Sequence, residues 1–139
     1  MPFGTLNGKV LASKLVRIEA YNAEHILVGA TWVNPDGSFA FDAASGTNSV
    51  VAMAGGFLSA QRSVTVTDGS TITLPTFSLI AGDIDGNNVI DQFDALTIGM
   101  NYNQAVPSDA DLNNDGIINV LDLELLAKNY RRTGPVPWQ

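Results

Sequence analysis

Residues 83–94 read Asp83-Ile84-Asp85-Gly86-Asn87-Asn88-Val89-Ile90-Asp91-Gln92-Phe93-Asp94, and residues 111–122 read Asp111-Leu112-Asn113-Asn114-Asp115-Gly116-Ile117-Ile118-Asn119-Val120-Leu121-Asp122. We call these two stretches loop one and loop two; they are related by a shift of 28 residues. In both, oxygen-bearing side chains stand at positions 1, 3, 5, 9 and 12, and isoleucine stands at position 8. A repeat in register over the whole stretch predicts two copies of one local structure.

The spacing of these oxygen atoms suits calcium, which takes about six to eight oxygen ligands and can be wrapped by a loop of about 12 residues. Position 7 of such a loop contributes its backbone carbonyl, so that residue can be apolar, and position 9 often acts through water. The sequence therefore predicts two bound Ca²⁺ ions. The predicted ligands are Asp83, Asp85, Asn87, Val89, Asp91 and Asp94 in loop one, and Asp111, Asn113, Asp115, Ile117, Asn119 and Asp122 in loop two.

The two loops differ at position 6, where a sharp turn favours glycine. Loop two has Gly116, whereas loop one has Asn88, and asparagine is among the residues that best tolerate the left-handed region. Loop one carries four carboxylates and loop two carries three. Charge favours calcium in loop one and turn geometry favours loop two, so the sequence does not rank the two affinities.

Negative charge is concentrated in the second half of the chain. Residues 1–80 have four basic and five acidic side chains, a net charge of −1, whereas residues 81–139 have three basic and nine acidic ones, a net charge of −6. This distribution favours cations and disfavours nucleic acid and anionic membranes as partners. No apolar run approaches the ~18 residues of a membrane span, so membrane insertion is not expected. Without cysteine, the chain has neither disulfides nor a zinc–thiolate site.

Residues 1–80 have the pattern of β-strands. Residues 15–21 alternate apolar and polar side chains, and residues 34–38 read Asn-Pro-Asp-Gly-Ser, a strong turn sequence. About seven short strands separated by turns predict an Ig-like β-sandwich.

Residues 81–139 lose this alternation and predict a small all-α domain of two loop–helix units, with helices at 92–103 and 120–131. The boundary is expected near residues 80–82. Because no Ser/Thr/Pro-rich linker separates the two parts, we expect them to pack against each other.

A helix on both sides of the loop defines a full EF-hand, but here the residues before Asp83 are β-like and end in Gly82. A duplicated loop–helix unit that lacks the entering helix resembles a dockerin, and the resemblance covers residues 81–132. With the β region directly upstream, the chain resembles the X module–dockerin tandem of type II. The β region alone is also similar to carboxypeptidase-regulatory and collagen-adhesin B-type sandwiches.

The resemblance implies a non-catalytic, secreted docking module that binds a type II-like cohesin in a calcium-dependent way. It would anchor its parent protein in a cellulosome-like or cell-surface assembly, in the setting of polysaccharide degradation. Homo-oligomers are not expected.

Each predicted helix carries two apolar stripes when residues are placed at ~100° intervals. One stripe, with Ile98, Tyr102, Leu126 and Tyr130, is assigned to the core between the helices. The other predicts a partner surface, or alternatively a surface that packs on the β region. Its residues include loop positions 10 and 11, which are thought to carry partner specificity in dockerins and are bulky here, as in type II. The predicted partner-binding residues are Gln92, Phe93, Leu96, Met100, Val120, Leu121, Glu124, Leu125 and Lys128.

Other functions are less well supported. His25 is the only histidine and has no catalytic companions, so an enzyme is not predicted. A carbohydrate-binding module would need an exposed aromatic platform, whereas Trp32 is expected in the core and Trp138 is expected to fasten the C-terminal tail to one of the two domains. A calcium-dependent adhesin is the remaining alternative.

Overall fold

The chain forms two β-sheets around a shared core, in a computed structural model that describes residues 2–139. One sheet has the order β4-β1-β8, with β9 also pairing with β1, and the other has the order β11-β7-β5-β2-β3. Strands β6 and β10 form a separate pair. The strands are β1 (Phe3–Leu11), β2 (Arg17–Asn22), β3 (Leu27–Trp32), β4 (Ser38–Ala44), β5 (Thr47–Met53), β6 (Gly56–Leu58), β7 (Ala60–Ser63), β8 (Thr71–Thr73), β9 (Phe77–Ser78), β10 (Ile80–Asp83) and β11 (Val136–Pro137).

The inward residues of both sheets build the core, as alternation along a strand requires. On β2, Ile18 and Ala20 are buried, while Arg17 and Glu19 face outward. This confirms the alternation predicted for residues 15–21. The first strand, β1, alternates less clearly in sequence, because its buried residues are separated by glycine and polar residues.

The prediction of a separate all-α domain after the β-sandwich is wrong. Strand β10 pairs with β6, and β11 at the far end of the chain pairs with β7, so residues from both ends of the second half belong to the β structure. The chain is therefore a mostly β unit that carries two short helices. Its division into domains 1–80 and 81–139 stays a prediction.

The C-terminal tail reaches into the core of the β region through Trp138, which is fully buried. The indole Nε1 of Trp138 donates a hydrogen bond to the carbonyl of Pro75 at 2.7 Å, and its ring meets Phe39 edge-on at a centroid distance of 6.0 Å. A guanidinium nitrogen of Arg62 donates to the carbonyl of Trp138 at 2.9 Å. The expected role of Trp138 in fastening the tail is confirmed, and its anchor is the β region.

The helices are α1 (Gln92–Met100) and α2 (Val120–Lys128), so each ends three residues before its predicted end. Their starts are fixed by capping boxes, in which the residue before the helix and the aspartate at the third helical position bond each other's backbone N–H. Three residues beyond the helix ends, Asn103 and Arg131 have φ of 66° and 72°, which turns the chain away from the helix axis.

Within residues 2–139, neither helix has the length and apolar character needed to cross a membrane.

Candidate metal centre

Loop one brings three of its predicted ligands together. One carboxylate oxygen from each of Asp83, Asp85 and Asp94 lies within 4.8 Å of the other two. The fully buried Asp94 carboxylate accepts hydrogen bonds from the backbone N–H of Ile84 at 2.8 Å, Asp85 at 3.1 Å and Asp91 at 2.9 Å. These bonds hold the last residue of the loop against its first residues. They compensate for aspartate at position 12, whose side chain is one methylene shorter than the usual glutamate.

Loop two gathers Asp111, Asp115 and Asp122 within the same 4.8 Å. Asp122 is fully buried and accepts from the backbone N–H of Asn113 at 3.2 Å and Asn119 at 2.8 Å. The two groups share loop positions 1 and 12, but the third carboxylate comes from position 3 in loop one (Asp85) and from position 5 in loop two (Asp115).

A polar atom in loop two supports the fit to calcium. The side-chain oxygen Oδ1 of Asn113 is buried and has no hydrogen-bond partner among residues 2–139, while its Nδ2 donates to Asp115 at 3.2 Å. A buried amide oxygen without a partner is costly. Asn113 stands at position 3, where a calcium ligand is expected, and a carbonyl oxygen is a ligand type that calcium accepts.

The electrostatics of loop one also favour a cation. The pKa of Asp83 is raised to about 6, chiefly by burial and also by the neighbouring carboxylates of Asp85 and Asp94, although the hydrogen bond from the N–H of Asn88 lowers it. Burial likewise raises the pKa of Asp94. A divalent cation placed among these groups would reverse both effects, because it favours the ionised carboxylate.

The position 9 residues have a different task in this structure. Asp91 lies outside the loop-one carboxylate group, and its Oδ1 accepts from the N–H of Phe93 at 3.0 Å as the cap of α1. Asn119 caps α2 in the same way by accepting from Leu121 at 3.0 Å. Both arrangements suit a contact to calcium through water. The ligand roles of Asn87, Val89, Asp91, Ile117 and Asn119 stay predictions.

Each loop pairs with the chain that follows the helix of the other unit. Ile90 exchanges backbone hydrogen bonds with residues 131–132, at 2.7 and 2.9 Å, and Ile118 exchanges them with residues 103–104, at 2.7 and 2.8 Å. Both isoleucines are fully buried. The two units are therefore interlocked around position 8, and neither loop is complete without the other unit. The sequence prediction missed this crossed pairing, although residues 101–104 and 129–132 are related by the same 28-residue shift.

The predicted partner surface is largely exposed. Phe93 is 60% exposed and Met100 is 74% exposed, so these side chains do not pack on the β region. Glu124 and Lys128 line a groove of about 290 Å³ together with Asn113, Leu121 and Leu125. The exposed members of the predicted set are Gln92, Phe93, Leu96, Met100, Val120, Leu121, Glu124 and Lys128, and Leu125 is half-buried.

The core assignment of the helices is half right. Ile98 and Leu126 are buried, as predicted, but Tyr102 and Tyr130 are 44% and 40% exposed. Both tyrosines follow the last residue of a helix that ends earlier than predicted, so the helical angles used to place them do not apply.

Trp32 was expected in the core and is instead 54% exposed at the edge strand β3. The guanidinium of Arg17 lies 5.3 Å from the centre of its ring. Arg17 also donates to Glu19 at 2.8 Å, and the hydroxyl of Tyr21 donates to the same carboxylate at 2.5 Å. The hydrogen bonds from Tyr21 and Arg17 lower the pKa of Glu19. These side chains form a connected row on the outer face of the sheet.

No family model and no curated protein matches the chain. Among solved structures, a chain of a C-terminal interface mutant of the type II cohesin–X–dockerin complex from Acetivibrio cellulolyticus is 21% identical, with a TM-score of 0.76 over 94% of this chain and 97% of that one. An N-terminal interface mutant of the same complex gives 20% identity and a TM-score of 0.72, with the same coverage. A type II cohesin–dockerin domain from Bacteroides cellolosolvens is 36% identical over 40% of this chain and 90% of that one, with a TM-score of 0.36. The chain shares its fold with a component of cohesin–X–dockerin complexes.

Proposed function

We propose that this chain is a calcium-dependent docking module of the dockerin type, which binds a type II-like cohesin, and that its β region is the companion X module. The observation that carries the proposal is the pair of three-carboxylate groups, one in each loop, the second of them beside the unpartnered oxygen of Asn113. The fold shared with a component of a cohesin–X–dockerin complex supports the same reading.

Calcium has a structural task in this proposal. Each loop collects carboxylates that repel one another, and the loops in turn hold the starts of both helices through the capping boxes. Binding of an ion that neutralises the carboxylates is therefore coupled to folding of the helices. Two Ca²⁺ ions would be needed to keep the partner surface in shape.

The proposed partner surface runs along α1 and along α2 from its start to Lys128. It has an apolar centre, including Phe93, Met100 and Leu121, bordered by Glu124 and Lys128. An apolar centre with a charged rim is typical of protein interfaces. Loop positions 10 and 11 differ between the units, Gln92-Phe93 against Val120-Leu121, so one binding orientation is favoured over two equivalent ones.

The module is proposed to act without catalysis, as an anchor that places its parent protein in an extracellular, cellulosome-like or cell-surface assembly. The acidic charge of the second half argues against nucleic acid as a partner. A self-associated form is not part of the proposal.

The test uses a purified type II cohesin from Acetivibrio cellulolyticus as the probe, immobilised and exposed to this chain in calcium or in EDTA. Binding is expected in calcium alone. The double variant Phe93→Asp/Leu121→Asp should lose binding, whereas Ile26→Asp, which places one negative charge at a similarly exposed apolar site on the β region, should keep it.

Far-UV circular dichroism must show that both variants remain folded. Binding that survives EDTA would contradict the calcium dependence, and unchanged binding of the double variant would remove the proposed surface. A type II dockerin serves as the reciprocal probe: if this chain binds it and not the cohesin, the chain is the other partner of the pair.

A carbohydrate-binding module is the second candidate, because the exposed Trp32 and its row of Arg17, Glu19 and Tyr21 offer an aromatic and polar outer face. Sugar rings stack on exposed tryptophan through their apolar faces. Retention of the chain on insoluble cellulose, and its loss in Trp32→Ala, would favour this function; equal elution of both proteins would exclude cellulose as the ligand.

A further inference from the structure

Position 6 is where the two loops differ most in structure. Asn88 and Gly116 are both left-handed, with φ of 63° and 90°. Glycine adopts this conformation freely, whereas asparagine needs support from its surroundings. Gly116 is exposed, and a side-chain carbon added there would meet nothing within 4 Å. Asn88, in contrast, is half-buried, and its side-chain oxygen, backbone N–H and backbone carbonyl all form hydrogen bonds.

The side chain of Asn88 connects loop one to the β region. Its Oδ1 accepts a hydrogen bond from the backbone N–H of Ser59 at 3.1 Å and another from the Ser59 hydroxyl at 3.0 Å. Ser59 lies between β6 and β7, so the loop is fixed to the sheet structure.

The backbone of Asn88 connects the same point to a predicted ligand and to the tail. Its N–H donates to Asp83 Oδ2 at 2.8 Å, and its carbonyl accepts from Gly134 N–H at 2.8 Å. A side-chain carbon on Gly134 would lie 2.8 Å from Asn88 Oδ1, so glycine is needed for this approach. Asn88 therefore connects the Asp83 carboxylate of loop one both to the β region and to the C-terminal tail.

Loop two is attached to the β region at other points. The hydroxyl of Ser13 donates to the carbonyl of Leu112, and the ammonium of Lys14 donates to Asn114 Oδ1 at 3.1 Å. Lys14 places a positive charge beside a loop that already has one carboxylate fewer than loop one. A neighbouring positive charge opposes the binding of a cation. The position 12 carboxylate of loop two also receives two backbone N–H groups, against three for Asp94.

We infer that loop one is the tighter calcium site and fills first, and that Asn88 is the positioning residue that shapes it before the ion arrives. A loop that already holds its ligands in place loses less conformational freedom on binding, and this raises affinity. The inference rests on the proposed binding of calcium by both loops and adds their order and its cause.

The experiment is a calorimetric titration of calcium into the EDTA-treated full chain, where two classes of site are expected. Asp85→Asn should weaken the tighter class and Asp115→Asn the weaker class, which assigns each class to its loop. Asn88→Gly should lower the affinity of the tighter class by roughly threefold to tenfold, the effect of one or two hydrogen bonds, and leave the other class unchanged.

His25→Gly is the matched control, because His25 is also left-handed but lies between β2 and β3, outside both loops and the chain that pairs with them. Ser59→Ala tests the same link without altering a loop and should shift the tighter class in the same direction by less. Lys14→Gln should strengthen the weaker class.

Equal behaviour of Asn88→Gly and His25→Gly, or loss of the weaker class in Asp85→Asn, would overturn the inference while leaving the proposed function intact. A wild-type chain that binds no calcium would instead overturn the proposed function, and with it the basis of the ordering.

Discussion

The β region and the loop–helix segment of residues 83–132 are stabilised by different means. The β region buries carbon: Leu6, Ile18 and Val50 are fully enclosed between its sheets. The loop–helix segment buries charge, because its first and last loop positions are occupied by buried aspartates in both units. Burial of carbon stabilises a fold in any buffer, whereas burial of carboxylates stabilises it only with a compensating cation. We therefore expect the stability of the loop–helix segment to depend on calcium and the stability of the β region to be independent of it.

Removal of calcium should separate the two regions most strongly. With EDTA, the loop–helix segment should lose its helical signal while the β region keeps its strands. Saturation of a site at about 100 times its Kd adds about 2.7 kcal/mol to the free energy of unfolding, and the two sites add together. Thermal unfolding followed by far-UV circular dichroism measures both effects; identical melting curves with calcium and with EDTA would contradict the division.

Trp138→Ala would break the comparison, because this residue follows the loop–helix segment in the chain but packs in the core of the β region. Truncation of a buried tryptophan costs about 3–5 kcal/mol of unfolding free energy. Denaturant titration in saturating calcium is the measurement. The matched control is Trp32→Ala, which removes the same side chain from an exposed edge strand and should change stability by no more than about 0.5 kcal/mol.

Ile98→Ala sharpens the comparison inside the loop–helix segment. Ile98 is buried on α1 and should cost about 2–5 kcal/mol when truncated, even with calcium bound. Leu96→Ala, on the exposed face of the same helix, should leave stability nearly unchanged and act on cohesin binding instead. Equal losses of stability in the two variants would show that the exposed stripe packs within the protein.

The pH dependence of the calcium-free protein gives the smallest expected effect. The pKa of Asp83 is raised from 3.8 to about 6, so the folded state binds this proton more tightly than the unfolded state does. Its contribution to stability is present below about pH 4 and is lost as pH rises to about 6. Calcium affinity should rise over the same interval, because calcium competes with the proton. Unfolding in EDTA at several pH values measures the trend, and Asp83→Asn should flatten it.

The candidate site was predictable from sequence because its information is local. Oxygen-bearing side chains such as Asp83 and Asp111 recur at fixed spacing within twelve residues, and the structure brings three carboxylates of each loop together. The early ends of the helices were not predicted, since the turns at Asn103 and Arg131 depend on pairing with the loop of the other unit.

Long-range contacts account for the larger errors. The separate all-α domain was predicted because residues 84–139 carry no strand pattern, yet Val136 pairs with Ala60 and Asp83 with Gly56. A two-residue strand has too little pattern to be read from sequence. The function of Asn88 was hidden in the same way, because its partner Ser59 lies 29 residues away.

The return of the tail to the β region also decides how the molecule would respond to a pulling force. Tension applied between β1 and the C-terminal residues would cross the two sheets and leave through β11 and Trp138, without passing through residues 84–135. Loops one and two would bear no tension until β11 and Trp138 detach. Their detachment would then release roughly 170–190 Å of chain, less the length of whatever stays folded. In a single-molecule trace, calcium should therefore strengthen the event that follows detachment of the tail and leave the detachment force itself unchanged.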